Sequence, residues 1–391
     1  MIALDLSRLL SRAESVTPSG IDRVELAYAR QPSADGRAHC FAARSALGGI
    51  GLLPADASGE FVARLTAMWR DGAAARERRQ VAALARRLRL AALTGNAALC
   101  RALRESDNRP VYLLVSHQNL DRQKPIANLQ AAIGARFVSL IHDLIPLDFP
   151  ELTRPRQTAR HQRRIATVAA LADAAIVNSA ATGDALRERL GSREIPIAVA
   201  PLGIDLPDIA APTQSARPYF ICIGTVEARK NHDLLLDLWQ RLCAELGRKT
   251  PHLVLIGQRG FGGERIAARL GALSDVVVER GAVPDTAMAG LLRGARALLL
   301  PSLTEGFGLP VAEALALGVP VLCSELPALR ESGGGVPDYL GPRDPAAWHR
   351  AVLDFIDDSP RRQAQLARLA RWRSPTWPEH FAIVEQLIAS L

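Results

Sequence analysis

The chain has 391 residues, 48% of them hydrophobic and 23% charged, which is too long for one ordinary core and too apolar for a disordered polymer, so two domains of common size are expected. Five cysteines (Cys40, Cys100, Cys222, Cys243, Cys323) are scattered without CxxC spacing, which points away from a disulfide framework and from a zinc site. No apolar run reaches the roughly 18 to 20 residues of a membrane span, and residues 1–10 read as a strand followed by Ser7 and Arg8 rather than as a signal peptide, so a soluble, cytoplasmic protein is expected.

In chain order, strand candidates in the first half lie at 2–6, 111–115, 137–141, 174–177 and 197–200, with helical stretches between them. Residues 76–93 form an amphipathic basic helix: Val81, Leu84, Leu88 and Ala92 make one stripe, and Arg86, Arg87 and Arg89 lie beside it. Such a helix can lie on anionic lipid, and a helix packed on its own domain shows the same pattern. The net charge of +8 is unevenly placed, since residues 60–105 carry ten arginines against four acids and residues 154–164 carry five arginines and no acid. A field of this kind attracts nucleic acid, anionic lipid or phosphorylated substrates, and solvated helix faces would look alike in the sequence. Residues 207–217 read as a linker. Strands then resume at 219–224, 252–257, 276–278, 297–300 and 320–323, and 374–391 end in an apolar helix. The expected division is an N-terminal domain over 1–206, the linker over 207–217, a C-terminal domain over 218–373, and a helix in 374–391 that packs back on the N-terminal domain. Alternating strands and helices imply parallel sheets, with ligands at the carboxyl ends of the strands.

The most informative stretch is 301–320, PSLTEGFGLPVAEALALGVP. A strand ends at Leu300, a loop holds Glu305, Gly306, Phe307 and Gly308, and Leu309 and Pro310 open a helix that Gly318 closes. Amides at such a turn, backed by a helix dipole, bind anions and hydroxyls, and glycine lets a ligand approach the backbone. Glu305 and Glu313 are placed so that each can accept a pair of vicinal hydroxyls, of which a sugar nucleotide offers two, on its hexose and on its ribose.

The frame EGFGLPVAE resembles the signature of glycosyltransferase family 4, whose fold is GT-B. Gly224, Thr225, Glu227, Arg229, Lys230 and Asn231 are similar to a G-T-x-E-x-R-K-N motif of that family, in which the Arg and Lys neutralise the donor diphosphate. His142, in the run HDLIP, resembles a histidine that contacts the transferred sugar. Gly20 and Arg23 resemble a Gly-rich loop facing the donor phosphates, with Asp22 in place of the usual second glycine. Gly257 and the run from Gly281 to Val283 match positions around the nucleotide base, and Asn178, Ser179 and 201–205 match segments bordering the family's cleft. Residues 30–110 match no nameable motif.

The resemblance implies two doubly wound Rossmann-like domains with a cleft between them, and a retaining, metal-independent hexosyl transfer. In that reading His142, Arg229, Lys230 and Glu305 are catalytic. Gly20, Arg23, Gly224, Thr225, Gly257, Val283, Gly306, Phe307, Gly308, Leu309 and Glu313 bind the donor. No cofactor is implied beyond the sugar nucleotide, with GDP-mannose favoured. The acceptor is a glycan or a lipid-linked oligosaccharide, made for surface polysaccharide, at the inner face of the plasma membrane. An epimerase or phosphorylase on the same fold, or a basic scaffold for lipid or nucleic acid, remains an alternative. A dinucleotide dehydrogenase is disfavoured, because GQRGFGG at 257–263 does not keep the G-x-G-x-x-G spacing.

Overall fold

Two parallel sheets organise the chain. The computed structural model describes residues 1–31, 39–106, 109–207 and 212–391; most of the expected linker is among them, but 208–211 lie outside. One compact unit comprises Met1–Asp148, Arg156–Gly203 and Thr376–Leu391, and the other Phe149–Pro155 and Ile204–Pro375.

The first unit holds seven strands: β1 (Ile2–Asp5), β2 (His39–Arg44), β3 (Ile50–Leu52), β4 (Val111–Leu114), β5 (Arg136–Ile141), β6 (Ala174–Val177) and β7 (Ile197–Val199). Their order is β3-β2-β1-β4-β5-β6-β7, parallel throughout except for the antiparallel pair of β2 with β3. The second unit holds β8 (Tyr219–Ile223), β9 (His252–Ile256), β10 (Val277–Gly281), β11 (Leu298–Leu300), β12 (Val321–Ser324) and β13 (Asp338–Leu340), in the order β10-β9-β8-β11-β12-β13. All of its pairings are parallel, and the order reverses between β8 and β11. These are two Rossmann-like sheets of the doubly wound kind. Central strands such as β8 and β4 are buried at every position, because helices cover both faces, and so they read as continuous apolar runs.

Three strands escape the sequence reading. β2 and β3 carry too few consecutive aliphatics, and β13, Asp-Tyr-Leu, is an edge strand of three residues. β3 is tightly covered: a Cβ on Gly51 would stand 2.2 Å from the carbonyl oxygen of Ala92, at the end of the helix Ala75–Thr94. That helix is the expected basic one. It buries Val81, Ala82, Ala85, Leu88 and Ala92 in its own unit and leaves Arg76, Arg79, Arg86, Arg87 and Arg89 exposed. No described helix is long and apolar enough to cross a membrane.

The helix Trp377–Ala389 belongs to the first unit. His380 sits in hydrogen-bond reach of the Tyr28 hydroxyl at 2.7 Å and of the carbonyls of Ala200 and Pro201 at 3.1 Å. Burial lowers its imidazole to about 4, so the ring is neutral at physiological pH.

In the same unit burial raises the carboxyls of two acids, Asp5 at the end of β1 and Glu25. Asp5 accepts the Tyr112 hydroxyl at 2.7 Å, and Glu25, in the helix Gly20–Arg30, accepts the Leu9 amide at 3.0 Å. Burial, reinforced by the charge of Asp5, pushes the Glu25 carboxyl up from 4.5 to about 8. Between those values the folded chain holds a proton that the unfolded chain has released, so this group makes stability fall as pH rises through that window. Glu25→Gln keeps an acceptor for Leu9 and stays neutral. It is expected to flatten the decline between about pH 5 and about pH 8 by roughly 2 to 4 kcal/mol, read from urea midpoints. An unchanged decline would assign the titration to another group.

Candidate functional site

In the second unit, the two motif-bearing loops leave the carboxyl ends of β8 and β11, the neighbouring strands at which the strand order reverses. That crevice is where open α/β sheets bind ligands. The first loop runs from Gly224 through a short 3₁₀ turn, Ala228–Lys230, into the helix His232–Leu246. The second holds 301–308 and enters the helix Leu309–Ala316. Their register is locked by backbone and side-chain bonds. Leu303 donates to the Arg229 carbonyl at 2.7 Å, and the Asn231 amide donates to the carbonyls of Pro301 and Pro342 at 3.1 and 2.9 Å. Asn231 does this from a left-handed backbone, φ 55°, which asparagine tolerates better than most residues.

Glu305 is the hub. Its Oε1 accepts from Lys230 Nζ at 2.5 Å and from the Ser302 hydroxyl at 2.6 Å, and its Oε2 accepts from Arg229 Nη1 at 3.1 Å. Arg229 Nε also pairs with Glu227 at 2.6 Å. The Lys230 and Glu305 side chains are each only 7% exposed. Burial by itself would raise the Glu305 carboxyl, but the charges of Lys230 and Arg229 and the bonds from Lys230 and Ser302 overcome it and hold the group down to about 2. A carboxylate offers about four lone-pair positions, of which three are occupied here. Ser302 and the Glu227 pairing are absent from the sequence reading; a serine three residues before the glutamate is a signal too common to single out.

Around this hub the backbone approaches itself closely. At Gly257, φ 148°, a Cβ would stand 2.0 Å from the carbonyl oxygen of Gly224, so no side chain fits between the ends of β8 and β9. Gly308, φ 92°, turns the chain into the helix Leu309–Ala316, where a Cβ would meet Leu329 at 2.3 Å. In that first turn Pro310 brings no amide and the Val311 amide donates to the Gly308 carbonyl at 2.9 Å, so the positive end of the helix is presented to the loop mainly at Leu309. Phe307 is buried beneath the turn, Gly306 and Leu309 are half-buried, and Glu313 is buried one turn inside the helix. Thr225 is exposed after β8, and Val283 is half-buried beyond β10. The second unit therefore brings together Gly224, Thr225, Arg229, Lys230, Gly257 and Glu305–Leu309 on the carboxyl ends of its central strands.

The first unit holds the remaining candidates. His142 follows β5 and is 5% exposed. Its Nε2 lies 2.8 Å from the Val115 carbonyl, its amide donates to His117 Nε2 at 3.2 Å, and its carbonyl accepts from Asn178 at 3.1 Å. Burial lowers the His142 ring to about 4, and likewise that of His161, which stands edge-on to His117 at 4.9 Å. These are neutral rings, each with its Nε2 on a backbone carbonyl, while His161 Nδ1 lies 3.4 Å from Arg164 Nη1; neither His117 nor His161 carries a sequence signal. Gly20 and Arg23 fall in the first turn of the helix Gly20–Arg30, where Ser19 is the N-cap. Asp22 closes a capping box with Ser19 and is paired with Arg8 at 2.5 Å and Arg12 at 3.2 Å. The residue standing where the motif has its second glycine is thus a buried helix cap.

Removing Lys230 leaves Glu305 buried with less compensating charge. Because its folded-state value lies below 4.5, the cluster contributes stability above that pH and loses it as pH falls towards about 2. Lys230→Ala is expected to cost about 3 kcal/mol near neutral pH and to weaken this acid dependence. Thermal unfolding across pH checks both; a variant with wild-type acid dependence would show that the pair is not coupled.

Residues 217–358 match the family model described as Glycosyl transferases group 1, and residues 64–207 match the one described as Glycosyltransferase Family 4. The second match corrects the expectation that 30–110 resemble nothing, since it begins inside that segment. The O-antigen chain mannosyltransferase B of Escherichia coli is 35% identical over 162 residues, 41% of this chain and 42% of that protein. The MMP alpha-(1->4)-mannosyltransferase of Mycolicibacterium hassiacum is 32% identical over 210 residues, 51% of this chain and 48% of that protein. The chain thus spans less than half the length of these relatives. Among solved structures, Anabaena HepE in complex with UDP-glucose aligns over 100% of this chain and 99% of its own, with a TM-score of 0.67 at 16% identity. A sucrose-phosphate synthase from Thermosynechococcus elongatus aligns over 100% and 98%, again with a TM-score of 0.67 at 16% identity. At such identity these two speak for the fold alone. Two family models over consecutive halves, two Rossmann-like sheets and the motif loops at the switch point of the second agree: the chain belongs to the family-4 glycosyltransferases.

Proposed function

We propose that this chain transfers a hexose from a nucleotide diphosphate sugar to a glycan or lipid-linked acceptor, with retention of configuration and without a metal, in the assembly of a surface polysaccharide. The observation that carries the reading is the Lys230–Glu305–Arg229 cluster at the carboxyl ends of β8 and β11. Loss of the diphosphate leaves negative charge on the departing oxygens, and preorganised cations and helix-end amides stabilise charge that develops there. Lys230 gives one of its three donors to Glu305 and retains two. As the bond from the sugar carbon to the diphosphate breaks, the acceptor hydroxyl attacks from the face the diphosphate vacates and its proton passes to a departing diphosphate oxygen. Mannose is the favoured hexose and GDP-mannose the favoured donor, supported by the similarity to the mannosyltransferases of Escherichia coli and Mycolicibacterium hassiacum.

With three lone-pair positions occupied, Glu305 has room for about one sugar hydroxyl. Its larger part is to hold Lys230 and Arg229 in place for the transition state. Glu313, one turn inside the helix, is assigned to the ribose, where ground state and transition state are bound alike. A thermal-shift panel of GDP-, UDP- and dTDP-sugars identifies the donor, and steady-state kinetics with it test the roles. Glu305→Gln is expected to lower kcat about tenfold or more with a smaller rise in KM, whereas Glu313→Gln mainly raises the donor KM. Excess EDTA leaves both wild-type constants unchanged. The reverse split would exchange the two carboxylates, EDTA-sensitive turnover restored by a divalent ion would overturn metal independence, and no shift with any sugar nucleotide would remove the donor site.

Association with the inner face of the plasma membrane rests on the helix Ala75–Thr94. Its outer face carries Arg76, Arg79, Arg86, Arg87 and Arg89, and the 66%-exposed Leu90 stands among them, as on an interfacial helix. Arg89 also donates to the Leu10 carbonyl, so it is partly committed to the fold. Each arginine near an anionic surface contributes about 1 kcal/mol within a Debye length of roughly 8 Å. Flotation with phosphatidylserine vesicles should show binding at low salt that high salt and Arg86→Gln/Arg87→Gln abolish; no binding at low salt makes the helix purely structural.

A further inference from the structure

A cavity of about 670 Å³ opens in the first unit at the carboxyl end of β2, between the β2–β3 hairpin and the helices Asn96–Arg104 and Lys124–Ile133. Arg44, Arg122 and Lys124 line it, with Asn96 and Asn128, and no acid does. Among the described residues no carboxylate pairs with any of the three cations. Asp5 and Asp121 act on Arg44 through their charge but neither bonds to it: Asp5 accepts the Tyr112 hydroxyl at 2.7 Å, and Asp121 is held by Arg160 at 3.2 Å. Arg44 is the most telling, because its Nε is buried without a hydrogen-bond partner and its Nη1 reaches only the Arg122 carbonyl, at 3.4 Å. An unmatched buried guanidinium donor is unfavourable unless something fills it. The hairpin is tightly pinned: Asn96 donates to the Ile50 carbonyl at 2.9 Å and Gly49 donates to the Ser45 hydroxyl at 3.1 Å. The helix that opens with Lys124 adds the positive end of its dipole. At the hairpin tip Leu47 is 83% exposed beside the cavity mouth.

We propose that this cavity is an anion site of the first unit that takes the phosphate or diphosphate ester of the acceptor. The inference rests on the transfer reading for the word acceptor and on nothing else from it. Three unpaired cations around a volume of this size match a doubly charged phosphoryl group with a sugar or chain attached, and guanidinium donors suit phosphate oxygens in pairs. The exposed leucine at the mouth suits an apolar tail better than a bare ion. The shared chemistry is the phosphoryl head, whether it arrives on a polyprenyl-type lipid or on a soluble phosphosugar.

Calorimetric titration of the full chain tests the site with three probes: inorganic pyrophosphate, farnesyl diphosphate and a hexose 1-phosphate. Because the second unit can also bind pyrophosphate, the reading is the difference between wild type and Arg122→Gln/Lys124→Gln, both positions being exposed and free of carboxylate partners. Pyrophosphate binding is expected to weaken about tenfold per removed charge in that variant, to weaken again in Arg44→Gln, and to persist in Lys230→Ala. Tighter binding of farnesyl diphosphate than of pyrophosphate assigns the head to a lipid, and tighter binding of the hexose 1-phosphate assigns it to a phosphosugar. Identical isotherms for wild type and the double variant overturn the proposal. Charge-dependent pyrophosphate binding without any sugar-nucleotide turnover would instead sink the transfer reading and leave the anion site standing.

Discussion

A carboxylate buried at the end of a parallel sheet has to be matched by positive charge, and the second unit is arranged around that requirement. Glu305 could not remain ionised at 7% exposure without Lys230 and Arg229. To supply them, the loop after β8 must reach the loop after β11, which requires the tight turn at Lys230, the left-handed Asn231 and the carbonyl bonds that tie both loops together. The glycine at 257 is a consequence of the same closeness, since the ends of β8 and β9 leave no space for a side chain. The cations are therefore held ready before any ligand arrives, and the loops that hold them lie where the strand order reverses.

In the first unit Asp22 is matched in the same way, by Arg8 and Arg12, but other buried groups are treated in the opposite sense. Its histidines at 142 and 161 and its carboxyl at Glu25 are kept neutral by apolar surroundings, with hydrogen bonds to backbone instead of counter-charges. Its cations lie at the periphery, on the outer face of the helix Ala75–Thr94 and around the cavity beside Arg44. Most arginines of the helix Ala75–Thr94 thus lie outward, whereas in 154–164 Arg160 pairs with Asp121 and the Nε of Arg164, like that of Arg44, is buried; the other unit buries its positive charge at Lys230, against a carboxylate.

Most of the parallel strands were legible because a strand buried on both faces must be apolar throughout, and runs such as YFICI and AAIV have no other economical reading. The loop motifs were legible because glycine, proline and charge occur there in a fixed frame. What escaped had no such frame. β2, β3 and β13 are partly exposed edge or near-edge strands, two of them only three residues long; the Ser19–Asp22 capping box is local, but the pairing of its buried Asp22 with Arg8 and Arg12 emerges only in the fold.

By itself, the sequence determined the class of fold, the restart of the alternation after the first sheet, and the residue types at the switch-point loops, because local periodicity and the glycine and proline demands of turns are written along the chain. Tertiary structure alone decided which charges meet. Lys230 and Glu305 are 75 residues apart and Tyr28 and His380 are 352 apart. Whether a lysine serves a carboxylate or a ligand, whether a histidine is neutral, and whether Arg44 has a partner all depend on distances and burial that arise only when the strands pair.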